Sequence, residues 1–350
     1  MSDAPRAILV LNAGSSTIKA AVFEDGREVA RAGFDAVPDH SAALREVMGA
    51  LSGQGYGLPA LAAVGHRVVH GGPRLEASTR ITRAVRDEIA ACIPLAPLHN
   101  PHSLTAIDWI AQTAPDLPQY ATFDTAFHAT IPDVATRYAL PDTPDTAGLR
   151  RYGFHGISYA SLVGALPGLT DQPLPRRLLA FHLGNGASIC AILDGASVAT
   201  TMGYSPNAGL TMGTRSGDMD PSAVLELARR IGVDGAERLL TQDAGLLGLS
   251  GISADMRSLT ASTSASAHFA TQHFCYWAAR HAGSMIAAMG GLDAIAFTGG
   301  IGENAADIRN EILDKLAWAG DVSTHIVPAQ EEAFIAHAAV TLTKGPPHVA

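Results

Sequence analysis

The sequence predicts a mixed α/β protein built from two similar halves, and three stretches carry that reading. Leu9 to Phe23 (LVLNAGSSTIKAAVF) and Leu178 to Leu193 (LLAFHLGNGASICAIL) share one plan: an apolar strand, a small polar turn, a second apolar strand. In the third, the apolar run Leu292 to Phe297 passes through Thr298-Gly299-Gly300-Ile301-Gly302-Glu303-Asn304 into a helix-like segment, Ala305 to Trp318. The turn Asn12-Ala13-Gly14-Ser15-Ser16-Thr17 lets backbone amides approach an anion closely, with Lys19 as a nearby point charge. Gly184-Asn185-Gly186-Ala187-Ser188 does the same without a lysine. A strand, a glycine-rich turn and a helix start in that order suit a nucleotide phosphate or ribose, because free amides and the helix dipole favour an anion. Neither hairpin turn has the P-loop spacing or the dinucleotide fingerprint.

Taken in chain order, Ser41 to Leu51, Arg83 to Ile93 and His102 to Gln112 have helical patterns, with Asp39 and Asn100-Pro101 as start signals. Ala62 to Val69 and Tyr120 to Phe123 read as buried strands. The turn-rich stretch Pro141 to Gly148 sets the expected domain junction near residue 150, giving domains 1–150 and 151–328, with residues 329–350 returning to the first. Pro167 to Pro175 reads as a loop before the second hairpin, and Thr260 to Ala267 (TASTSASA) as a mobile loop. His268 to Met289 reads as one long buried helix whose His268, His273 and His281 are partnered or surface residues rather than metal ligands.

Composition narrows the function classes. A chain of 350 residues has room for about two domains and a large core. With 16% charged residues and a net charge of −9, it offers no general surface for nucleic acid or an anionic membrane, so any positive charge used on phosphates must be local. Cys92, Cys190 and Cys275 are far apart in apolar surroundings, the pattern of reduced core thiols. The first residues lack the charged and apolar regions of a signal peptide, and no stretch reaches the roughly 20 apolar residues of a membrane span, so a cytoplasmic protein is expected.

Four further clusters carry chemistry. Gly65-His66-Arg67-Val68-Val69-His70-Gly71-Gly72 presents a guanidinium at the end of a strand, able to take a carboxylate or phosphate with two bonds, or to serve as an ordinary ion pair. Phe123-Asp124-Thr125-Ala126-Phe127-His128 places a carboxylate at the end of an apolar strand, where it needs a cation, a metal or a substrate hydroxyl. Arg150-Arg151-Tyr152-Gly153-Phe154-His155-Gly156 sets an imidazole between glycines. Met212-Gly213-Thr214-Arg215-Ser216-Gly217-Asp218-Met219-Asp220-Pro221 holds Arg215 in a glycine-flanked loop ending at a helix-starting proline.

Together these motifs strongly resemble the acetate kinase family, within the superfamily of sugar kinases, Hsp70 and actin. The resemblance runs from Asn12 to Glu332 through LNAGSSTIK, GHRVVHGG, LAPLHNP, FDTAFH, RYGFHG, HLGNGAS, GLTMGTRSGDMDP and GGIGEN. It implies a duplicated, ribonuclease H-like α/β core with a ligand cleft between domains, and reversible transfer of a phosphoryl group from ATP to acetate, giving ADP and acetyl phosphate, in line and without a phosphoenzyme. It implies magnesium, with manganese as a substitute, at Asn12 and Glu331, with Glu332 as the competitor, and a homodimer.

The resemblance also implies individual roles. Lys19 contacts ATP, and His182, Leu183, Gly184, Asn185, Gly186, Asp255, Met256, Arg257, Gly300, Ile301, Gly302, Glu303 and Asn304 surround the nucleotide. Arg67 holds the acetate carboxylate, and Val69, Leu98, Phe154 and Pro206 form the small pocket for its methyl group. Asp124 is the catalytic aspartate, and His155 and Arg215 act on the transition state. A carboxylate is already a competent nucleophile near neutral pH, so catalysis rests on alignment and on neutralising the charge of the transferred oxygens. Alternatives are a propionate or other short-chain acyl kinase, a pyrophosphate-dependent variant, and a nucleotide-sensing module on the same fold. The chain departs from the family pattern in being shorter between Asn12 and Arg67 and between Asn304 and Glu331. It also has Asn207-Ala208 where many members carry a glutamate ahead of the glycine.

Overall fold

Small and β-branched residues in AILVLNA and TIKAAVFE favour a tightly packed antiparallel hairpin, and both strands form: β1 (Ala7–Ala13) and β2 (Thr17–Glu24), with Asn12 opposite Lys19. The computed structural model describes residues 7–14, 17–35, 37 and 39–344; Ser15 and Ser16 of the first turn lie outside the described residues. The hairpin continues into β3 (Arg27–Asp35) and is joined by β4 (Leu61–Val68), the short β5 (Thr79–Arg80) and β6 (Gln119–Phe123). Their order is β3-β2-β1-β4-β6-β5, with β1, β4 and β6 parallel.

One face of this sheet is closed by helices His40–Gly53 and Asn100–Thr113. Leu9, Leu11, Ile18, Ala20 and Val64 pack there with Leu44, Val47, Ala106 and Ile110. Asp39 caps the first helix by accepting from the amides of Ser41 and Ala42. Since side chains alternate along a strand, Asn12, Lys19, Gly65 and Arg67 leave from the opposite face. The C-terminal helix Glu331–Lys344 packs on that face: a Cβ added to Gly65 would lie 2.7 Å from Ile335 Cγ2, so a glycine is what lets the helix come this close. Glu331, its first residue, is thereby brought to the end of the sheet that carries Arg67.

The second unit repeats the plan. Strands β7 (Arg177–Leu183), β8 (Ala187–Leu193), β9 (Ala196–Thr200), β10 (Ala294–Thr298) and β11 (Ser323–Ile326) are ordered β9-β8-β7-β10-β11. An antiparallel trio again leads into parallel neighbours, so the duplication seen in the two hairpins extends to whole sheets. The long helix Ala265–Met289 lies against β8 and β9, burying Phe274, Cys275 and Ala278.

By contacts, one unit runs to Phe127 and resumes at Gln330, and the other is His128–Ala329. The expected junction near residue 150 thus lies inside the second unit. Residues 128–150 are tied there by His128 Nδ1 to Ser197 Oγ at 2.9 Å, by the Thr130 hydroxyl donating to the Ser197 carbonyl at 2.8 Å, and by the Tyr204 amide donating to the Tyr138 hydroxyl at 2.9 Å.

Two expected loops form only in part, residues 171–176 and 261–264 being irregular. TASTSASA is helical at both ends, Thr260 closing the helix Met256–Thr260 and Ala265 opening the long helix, because Ala267 and the turns after it are buried. Pro167 sits inside the helix Gly156–Thr170, in a chain segment whose Leu162 and Leu166 are buried; apolar packing outweighs the one backbone bond a proline forgoes.

Candidate active site

In the first unit, β6 ends one residue before Asp124, whose amide donates to the Val68 carbonyl at 3.1 Å and so extends the pairing with β4. That contact sets the Asp124 carboxylate against Arg67. Nε donates to Oδ1 at 3.2 Å and Nη2 to Oδ2 at 2.6 Å, a two-pronged pair, while Nη1 reaches Asn12 Oδ1 at 3.4 Å. Asp124 is 2% exposed. Burial pushes its carboxyl above the usual range, and Arg67 works against that rise. Burial likewise disfavours the Arg67 charge, but Asp124 and then Glu331 outweigh it and hold the guanidinium above its usual value.

Of the other residues expected in this unit, Val69 is half-buried, Leu98 is 49% exposed and Lys19 is exposed. Glu331 acts electrostatically on both Arg67 and Asp124, and Glu332 acts more weakly on Arg67 and lies 3.8 Å from Arg31. Among the described residues no group of three or more His, Cys, Asp or Glu side chains gathers as a cage for a metal. The oxygens present, from Asn12, Asp124 and Glu331, are hard donors. They suit a cation such as magnesium, which keeps several waters and takes one or two carboxylates plus substrate phosphates.

In the second unit, Gly153 and His155 both adopt left-handed backbone, at φ 77 and 59. The glycine is required, since a Cβ there would lie 2.6 Å from His128 and from Thr200. The backbone of His155, at the start of the helix Gly156–Thr170, is left-handed without that excuse, a conformation that costs energy and is held by its neighbours. Its Nδ1 is 2.9 Å from Ser188 Oγ, which is 2.6 Å from the Tyr159 hydroxyl. His182, opposite Ser188 in the β7–β8 pairing, has its ring 4.1 Å from that of His155, and its Nδ1 is 2.8 Å from Ser158 Oγ.

Arg215 comes to the same place on the loop after β9. The Gly213 amide donates to the Asn185 carbonyl at 2.9 Å and the Ser216 amide to Leu240 at 3.0 Å, fastening the loop on both sides of the arginine. Arg215 Nη1 donates to the Pro206 carbonyl at 3.2 Å. A methyl group on Gly186 would lie 3.2 Å from His155 Nε2 and 3.4 Å from Arg215 Nη1, so imidazole and guanidinium converge over this glycine. Phe154, one residue before His155, is 1% exposed, and its carbonyl is 2.9 Å from His128 Nε2.

Beside this convergence lies a cavity of about 1120 Å³ whose walls include Gly184, Asn185, Asp255, Met256, Arg257, Gly300, Ile301 and Asn304. Its volume is ample for a nucleotide. Not every residue expected around the nucleotide lines it. Leu183 is buried in β7, Gly302 is buried beneath, and Glu303 Oε1 is taken up by the amides of Gly299 and Ala329. His182 turns instead toward His155 and Ser158. Asp255 caps the helix Met256–Thr260 and pairs with Arg257 at 2.6 Å.

Ser158, Tyr159 and Ser188 escaped sequence reasoning as supports of the two histidines. A signal was present: Ser158 and Tyr159 follow His155 by three and four residues, the spacing that returns to one helical face. Using it required knowing that a helix begins at Gly156.

Two sheets of matching strand order, one carrying a buried Arg–Asp pair and the other a His–Arg pair beside a nucleotide-sized cavity, define the duplicated fold of the sugar kinase, Hsp70 and actin class. Within that class the chain belongs to the acetokinase family, whose model matches residues 27–341. An acetate kinase of Rhodopseudomonas palustris (strain ATCC BAA-98 / CGA009) is 42% identical over 353 aligned positions, covering 91% of this chain and 88% of the relative. A crystal structure of Porphyromonas gingivalis acetate kinase superposes with a TM-score of 0.89 at 33% identity, covering 96% of this chain and 99% of that one. A propionate kinase from Francisella tularensis subsp. tularensis superposes with a TM-score of 0.88 at 33% identity, covering 95% and 98%.

Proposed function

We propose that the protein is an acetate kinase, transferring the terminal phosphoryl group of ATP directly to acetate and back. The observation that carries the mechanism is the convergence of His155 Nε2 and Arg215 Nη1 over Gly186, next to the cavity walled by Gly184 and Asn185. A transferring phosphoryl group carries its charge on its equatorial oxygens, and a guanidinium with an imidazole N–H is a fitting pair of donors for them. ATP occupies the cavity, its base side toward Asp255, Met256 and Arg257 and its phosphates toward Gly184, Asn185 and Gly186.

The acid is held by Arg67. Its guanidinium is aimed by Asp124 through two bonds and offers Nη1 on the side of Asn12. Asp124 is therefore an aligning group, and acetate, ionised near neutral pH, needs no base. Val69 and Leu98, on the same unit as Arg67, limit the acid's length. Magnesium fits the oxygens of Asn12, Asp124 and Glu331, and when bound it supplies positive charge to the phosphate oxygens. We further infer a cytoplasmic homodimer, for which the buried free thiols and the outward Phe269 and Tyr276 of the helix Ala265–Met289, 54% and 56% exposed, are the support. Among the described residues no helix is long and apolar enough to cross a membrane.

The test is acetyl phosphate formation, trapped as the hydroxamate, with ATP and magnesium, run against propionate, butyrate and pyrophosphate. ATP-dependent turnover of acetate, lowered about 10²- to 10³-fold in Arg215→Ala, is expected. Preference for propionate by more than the roughly 10- to 200-fold that one methylene confers would reassign the acid, and binding of ATP without transfer to any acid would overturn the reading.

A further inference from the structure

The buried hydroxyls of Tyr159 and Ser188 form a chain behind His155. Tyr159 is 0% exposed, and burial pushes its hydroxyl well above its usual pKa, so it keeps its proton. Its oxygen lies 2.6 Å from Ser188 Oγ. Ser188 is also 0% exposed and has one proton to give, and His155 Nδ1 stands 2.9 Å from its Oγ. If Ser188 gives that proton to Nδ1, the bond between the two hydroxyls must use the proton of Tyr159. The β7–β8 pairing sets Ser188 across from His182, whose ring centroid is 4.1 Å from that of His155.

Resting on the reading of His155 as a donor to the transferred phosphoryl group, we propose that Tyr159 and Ser188 are positioning residues that hold the His155 proton on Nε2. A His155 that donates through Nε2 accepts at Nδ1, so Ser188 spends its one proton on Nδ1 and Tyr159 donates to Ser188 Oγ, with Nε2–H facing Gly186. No bond is made or broken and no proton changes owner; the hydroxyls select a tautomer and fix the ring plane. The left-handed backbone at His155 gains a purpose in this scheme, because it aims Nδ1 inward at Ser188 while Nε2 lies over Gly186.

The experiment is long-range 15N–1H correlation spectroscopy on the full-length protein labelled in histidine, with the His155 signals assigned by their loss in His155→Asn. Wild type is expected to show an unprotonated Nδ1 and a protonated Nε2. In Ser188→Ala both nitrogens should move toward a tautomer mixture and kcat should fall about tenfold, the worth of one hydrogen bond, with KM for ATP unchanged; Ser188→Thr should restore both readouts and Tyr159→Phe should fall between. A protonated Nδ1 in wild type, or His155 shifts unmoved by Ser188→Ala, would overturn the relay. The wild-type spectrum alone decides this if a variant fails to fold. If the wild type does not phosphorylate acetate, the functional reading falls while the spectrum still judges the relay.

Discussion

Placing a methyl group on Gly186 tests the donor geometry most directly. Gly186 does not occupy the left-handed backbone region, so alanine is tolerated without strain, and its lower freedom in the unfolded chain favours folding by about 0.4–1 kcal/mol. Stability should therefore hold or rise slightly. The new carbon would sit 3.2 Å from His155 Nε2 and 3.4 Å from Arg215 Nη1. Ordinary contacts between carbon and its neighbours lie near 3.5–4.0 Å, so both groups must withdraw by a few tenths of an ångström. The methyl also fills the space in which a phosphoryl oxygen would meet both donors. A displacement of about 1 Å at the reacting centre costs roughly 10²-fold in rate, and losing a charge-stabilising donor outright costs about 10²–10³. Gly186→Ala should therefore lower kcat about 10²-fold. ATP affinity should stay within a few-fold, since the cavity wall nearby is formed by Gly184 and Asn185. Hydroxamate turnover, equilibrium nucleotide binding and thermal melts on one preparation read all three quantities. A folded Gly186→Ala protein with kcat within about threefold of wild type would refute the placement of the phosphoryl group over this glycine.

Arg67→Ala strands the Asp124 carboxylate, 2% exposed, and breaking such a pair costs about 3–5 kcal/mol of stability; the surviving folded protein should lose use of acetate while keeping ATP binding, and a defect confined to ATP would contradict the assignment. Gly65→Val should push the C-terminal helix off β4, since even a Cβ comes within 2.7 Å of Ile335; faster hydrogen exchange across Glu331–Lys344 is expected, and unchanged protection would show that the helix is not seated there. Burial pushes His66 and His128 down to about 4. The unfolded chain binds protons at these sites from about pH 6.5 downward, whereas the folded protein does not until about pH 4. Their contribution is thus fully present above pH 6.5 and is lost as pH falls toward 4, by up to about 3 kcal/mol each. Urea unfolding midpoints should fall between about pH 7 and 5, and a flat profile would show that neither ring is buried neutral.

Much of this protein was legible in its sequence because the relevant signals are local. Strand-turn-strand patterns follow from alternating small and β-branched residues, so both hairpins form at the expected places, and Asp39 caps the expected helix. The elements misread, TASTSASA and Pro167, are those in which local propensity was overruled by burial against distant residues. The cluster of Asn12, Arg67 and Asp124 could be named residue by residue from its motifs. That Arg67 pairs with Asp124 through two bonds depends on β4 lying beside β6, a neighbourhood set by the sheet order and not by any spacing along the chain.

The same division holds for the polar groups of the candidate site. The sequence by itself determined which side chains can bear charge or donate a proton, and the family to which their order belongs. Only the tertiary structure decided that Ser188 and Tyr159 stand behind His155, that Glu331 acts on both Arg67 and Asp124 while Glu332 acts more weakly on Arg67, and that His155 and Arg215, 60 positions apart by their numbers in the chain, meet over Gly186. Composition and periodicity record what a residue can do with its immediate neighbours; contacts between strands and loops far apart in the chain arise only when the whole apolar core is buried at once.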